Sequence, residues 1–151
     1  MKSFARRLCV IAVSLLGIAL AWTPAAAQQV KTVAGMVVNF GLVPAELALR
    51  ADGHRDAHPE HPPAGSQHML ITLDDEKSHA RIDDAEVSVE VTDPHGRVEK
   101  KPLLHTQAGG LRDYSELFEF RWSGEYTIRA IITLRPGAKP VEARFTVHHT
   151  I

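Results

Sequence analysis

The chain has 151 residues, with 17 lysines and arginines against 18 aspartates and glutamates, nine histidines and one cysteine. A formal net charge of −1 argues against nucleic acid or an anionic membrane surface as partner. A single cysteine allows no intrachain disulfide and no thiolate cluster.

Met1 to Ala27 reads as a cleavable secretory signal peptide. Lys2, Arg6 and Arg7 give a positive start, Leu8 to Trp22 is an apolar run, and Ala25-Ala26-Ala27 supplies small residues for cleavage after Ala27. The run is about fifteen residues, short of the ~20 that a spanning helix needs. The remainder, 28–151, is expected to be a single domain with no transmembrane segment. Arg6-Arg7 loosely fits a twin-arginine signal, but the general secretory route is preferred. Cys9 precedes the apolar run, which argues against lipid attachment, and it would leave with the signal. Cleavage would also remove three basic residues and no acid, leaving a mildly acidic, cysteine-free domain.

Beyond the signal the apolar residues recur mainly every second position, the period of a half-buried strand. Met36 to Val43 places Met36, Val38, Phe40 and Leu42 on one side, and Pro44 bends or ends it. Glu46 to Arg50 is read as a possible continuation of the strand. The stretch 50–67, rich in His and Pro, is predicted to be a loop. His68 to Leu73 alternates with Met69, Ile71 and Leu73 inward, which makes Met69 a core residue and not a metal ligand; Met36 is read the same way. Asp74 to Ala80 reads as a turn, and Ala85 to Thr92 as the clearest strand. Asp93-Pro94-His95-Gly96 is a β-turn. Arg97 to Leu104 is predicted as an edge strand because of Pro102, and His105 to Leu111 as loop. Tyr114 to Trp122 presents Tyr114, Phe118, Phe120 and Trp122 on one face. Glu125 to Leu134 and Val141 to His149 are strands joined through Arg135-Pro136-Gly137. About seven short strands and no sustained helical period predict an all-β, immunoglobulin-like antiparallel β-sandwich.

The loop at 50–67 and the residue following it carry His54, His58, His61 and His68, with Asp52, Asp56 and Glu60 among them. Imidazole suits zinc, copper, nickel and iron, and one flexible segment can fold several rings around one ion. These four histidines are the candidate metal ligands; the alternative is a solvated polar loop. His148-His149 ends the last strand, where neighbours point opposite ways, so the pair is expected to be exposed and not to chelate. His79, His95 and His105 fall in polar turns and loops. No serine sits in a nucleophile-elbow context, and Asp74-Asp75 and Asp83-Asp84 flank turns where aspartate bonds to the backbone. Nothing in this pattern argues for an enzyme.

Gly41-Leu42-Val43-Pro44-Ala45-Glu46, the His/Pro-rich insert, His68 to Leu73, Arg81-Ile82-Asp83-Asp84-Ala85-Glu86-Val87 and Gly124-Glu125-Tyr126-Thr127-Ile128 together resemble small exported proteins of the YtkA-like kind. The resemblance spans nearly all of the chain after the signal. It implies a periplasmic location and a role connected with transition-metal handling. Related sequences often carry paired histidines after the insert, where this chain has Gln67-His68-Met69. Two functions are therefore expected. One is a periplasmic accessory protein that binds or delivers copper, iron, zinc or nickel. The other is a metal-free adaptor or envelope-assembly domain that binds a periplasmic or membrane protein partner through a sheet edge.

Overall fold

The computed structural model describes residues 27–50, 62–108 and 111–151. They form nine strands and one short helix: β1 Ala27–Val33, β2 Met36–Pro44, α1 Ala45–Arg50, β3 Ser66–Asp75, β4 Glu86–Thr92, β5 Val98–Pro102, β6 Leu104–Ala108, β7 Leu111–Glu119, β8 Gly124–Thr133 and β9 Val141–His149. One sheet has the order β1-β2-β3-β7-β6 and the other β5-β4-β8-β9. Every pairing is antiparallel.

The sandwich follows from alternation. Strands with an apolar residue at every second position turn those residues to one face, and two such faces exclude water together. Met36, Val38, Phe40, Leu42, Met69, Ile71 and Leu73 line the five-stranded sheet; Val87, Val89, Val91, Ile128, Ala130, Ile132, Ala143 and Phe145 line the other. Phe40 stacks on Phe145 at 4.9 Å between ring centroids, which ties β2 to β9 across the core. Tyr114 brings its hydroxyl to the chain before β4, accepting from the Ala85 N–H at 3.0 Å and donating to the Ile82 carbonyl at 3.2 Å. Both methionines read as core are buried. On the outer face of the four-stranded sheet, Glu90 is held by Arg129 and Lys100, and Arg129 also reaches Glu142.

The all-β sandwich is as expected, with nine strands among the described residues where the sequence suggested about seven. The segment Glu46 to Arg50 is helix and not a continuing strand. Pro44 ends the ladder, and Ala-Glu-Leu-Ala-Leu is a run of good helix formers. Ala45 and Ala48, three apart, bury one side of α1, while Leu47 stays half exposed. β1 escaped the sequence reading because only a few of its side chains are even partly buried; backbone pairing to β2 makes it a strand. The loop read at His105 to Leu111 is largely strand, with Ala108 opposite Leu111 in a β6–β7 pairing. Apolar alternation is missing there because Thr106 faces buried polar groups. Trp122 was expected inward but is half exposed. β7 stops at Glu119, so the alternation ends there; the indole rests against His95 at 5.1 Å.

Candidate functional site

β3 is centred in its sheet, and its third residue is His68, opposite Val43 on β2 and Leu117 on β7. Because Met69 points into the core, His68 points to the outer face, yet it is only 2% exposed. Ser115 and Asp113 on β7 and Thr106 on β6 share that face by register and are buried as well. The Thr106 hydroxyl bonds to the Asp113 carboxylate and lies 2.9 Å from the Ser115 hydroxyl. A sheet face that would ordinarily meet water thus carries a set of buried polar side chains on three adjacent strands. The sequence reading overlooked Thr106, Asp113 and Ser115. The available signal was the alternation of Asp113 and Ser115 with Tyr114 along β7; nothing in the local pattern marks Thr106, which lies on β6.

His54, His58 and His61 lie outside the described residues. The chain on either side of them is placed. α1 ends at Arg50, and a turn closed by the Ser66 N–H to the Pro63 carbonyl at 3.0 Å leads into β3. Gly65 is fastened to the end of β7, where its carbonyl accepts from the Phe120 N–H at 3.0 Å. Both attachments of the insert therefore sit at the end of the sandwich where β2 and β7 finish and β3 begins. His68 belongs to this end.

β9 finishes at the same end. His148 is exposed, but His149 turns inward opposite Gly124, edge-on to the rings of Phe120 and Tyr126. The expectation of an exposed terminal pair holds only for His148. Continuing strand alternation carries His149 to the core side, where burial lowers its pKa from the usual imidazole value and the Phe120 backbone partly opposes this. Among the described residues, no three His, Cys, Asp or Glu side chains converge as a metal shell. Among the described residues His68 is a single imidazole, which by itself makes no metal shell.

The paired carboxylates have structural partners. Asp75 Oδ1 accepts from the Lys77 and Ser78 backbone N–H groups and the Ser78 hydroxyl; these bonds hold its carboxyl below the ordinary range. Asp74 pairs with Arg81 at 2.8 Å and Asp83 with Arg112 at 3.0 Å. Among the described residues, no helix is long and apolar enough to cross a membrane.

No protein-family model matches the chain, and no curated protein matches it. Solved structures do match in fold. FetP of a uropathogenic Escherichia coli, recombinantly expressed in the periplasm, superposes with a TM-score of 0.63 at 12% identity, covering 85% of this chain and 97% of its own. Copper-reconstituted P19 of Campylobacter jejuni gives 0.61 at 10% identity, covering 83% and 95%. A DUF4426-family protein of Pseudomonas aeruginosa gives 0.60 at 11% identity, covering 80% and 96%. A variant of FetP has also been solved with copper bound. At these identities the likeness shows a shared fold.

Proposed function

We propose that the chain is an exported, periplasmic accessory protein that binds or delivers a transition-metal ion, with His54, His58, His61 and His68 as its ligands. The observation that carries this reading is the position of His68. It is a buried imidazole on a polar sheet face, at the end of the sandwich where both attachments of the histidine-bearing insert are fixed. A segment fixed at both ends loses less entropy in gathering its imidazoles around an ion than a free chain would. Imidazole ligation suits copper, zinc, nickel and iron, and copper is the first metal to test because two proteins of the same fold carry it. The YtkA-like resemblance and the signal-like start support export and metal handling. The role is one of binding and transfer, without catalysis.

The test is calorimetric titration of the exported chain with Cu(II), Zn(II) and Ni(II). The expected result is a site tighter than about 0.1 mM for at least one ion, lost in the His54/His58/His61 triple alanine variant. Affinity should also fall as pH drops through about 6.5, because protonated imidazole cannot ligate. Weaker binding by all three ions, or affinity unchanged between about pH 7.5 and 5, would remove the reading. A metal-free adaptor is the second reading. It is favoured by two strands, β5 and β6, that stand at sheet edges on the same side of the sandwich.

A further inference from the structure

At Pro102 the chain leaves the four-stranded sheet, and β6 begins at Leu104 on the edge of the other sheet. β5 accompanies β4 only as far as Ser88; the Val87 carbonyl then accepts from the Leu103 N–H at 2.8 Å, and among the described residues no strand runs beside β4 at Glu86 on that flank. The gap is a groove of about 330 Å³. Ile131, Leu103 and Pro102 give it an apolar wall, and Glu86, Ser88, Thr133 and His105 supply polar groups. The side chains of those four form no hydrogen bond or ion pair among the described residues. Other acids of the same face are matched: Glu90 by Arg129 and Lys100, and Glu142 by Arg129 and Arg144. Glu86 therefore leaves a negative charge uncompensated beside an apolar wall. Among the described residues the adjoining strand, β6, pairs only with β7, so no described strand takes up the backbone donors and acceptors of its other edge.

We infer that this groove and the β6 edge together take an extended segment of a partner protein in which an apolar side chain neighbours a lysine or arginine. The segment's backbone pairs with β6, its apolar side chain lies on Ile131 and Leu103, and its cation meets Glu86. The free strand edge is what favours a polypeptide. The groove is open on one side and would leave much of a small molecule in water, whereas a well-formed small-molecule pocket buries most of its ligand. The inference gives the adaptor reading a place and a ligand chemistry, and it holds whether or not the chain binds a metal.

The experiment is an amide-shift titration of the isotopically labelled exported chain in EDTA, so that failure of the metal reading does not affect it. The probes are an acetylated hexapeptide of alternating valine and lysine, the same peptide with glutamate for lysine, and n-butylammonium. The basic peptide is expected to shift the amides of Glu86, Ser88, Ile131 and residues 104–108 saturably, and the acidic peptide is not. Glu86→Lys, at an exposed position that leaves the core intact, should weaken the basic peptide about tenfold. Ser88→Lys, which does not alter Glu86, should weaken it as well. The inference is overturned by a midpoint weaker than about 5 mM, by equal binding of the acidic peptide, or by an unchanged midpoint in Glu86→Lys. It is overturned in favour of a small amine if n-butylammonium gives the same shifts at the same midpoint.

Discussion

His149 stands edge-on to Phe120 with ring centroids 5.4 Å apart, and its Nε2 is buried without a hydrogen-bond partner among the described residues. An imidazole in that position is easier to bury neutral than charged, so burial lowers its pKa below the unfolded value of 6.5. The unfolded chain then takes up a proton at higher pH than the folded one does. The stability contributed by keeping His149 neutral is present in full above about 6.5 and is lost as pH falls through the lower folded value. His149→Phe keeps an aromatic ring there and removes the titration. Urea midpoints at pH 7.5 and pH 5 should therefore lie closer together in the variant than in the parent. An unchanged difference would mean that His149 is solvated in both states.

The main strands were legible because their apolar side chains face a single core. The series Val87, Val89, Val91 and Ile128, Ala130, Ile132 announce their strands by period alone. Where a strand buries something other than hydrocarbon, the signal fails. β6 turns Thr106 toward Asp113 and Ser115, so it read as loop. β1 is held by backbone pairing to a single neighbour and carries almost no apolar pattern. The terminal His148-His149 looked like a frayed pair because composition cannot show that β9 stays ordered to its last residue, with alternation carrying His149 inside. As to the candidate site, the strand period did place His68 opposite Met69, but it could not show that the outer face there is buried. That depends on what lies over the sheet, a property of the whole fold. His54, His58 and His61 lie outside the described residues.

The β1–β2 hairpin carries a local conflict between sequence and backbone. Val33 pairs with Met36, and the two residues between them, Ala34 and Gly35, have φ of 48° and 77°. Two central residues with positive φ make the type I′ turn that fits strand twist, and Asn-Gly is its favoured pair. Alanine is poorly suited because its Cβ crowds the backbone in this conformation. Ala34 is exposed. Ala34→Asn is expected to stabilise the fold by roughly 0.5–1 kcal/mol, a rise in Tm of a few degrees for a domain of this size. A melting curve that is unshifted or shifted downward would show that the turn is relaxed around alanine.

The start of β8 holds the opposite case, a glycine whose replacement the surroundings forbid. Gly124 has a φ of 141°, and a Cβ there would come within 2.7 Å of the Pro94 ring Cγ and 3.0 Å of its Cβ. Two separate penalties follow for Gly124→Ala, a strained backbone and an overlap with a rigid ring that cannot swing aside as a flexible side chain would. Together they should cost about 1–3 kcal/mol in chemical denaturation. The two are separable because only the overlap depends on Pro94. In a Pro94→Ala background the same substitution should cost about 0.5–1 kcal/mol less, while the backbone part remains. If the cost is equal in the two backgrounds, then the β4–β5 turn and the start of β8 do not touch in the way described. The close packing of this corner, where Gly124 also pairs with His149, would then need another source.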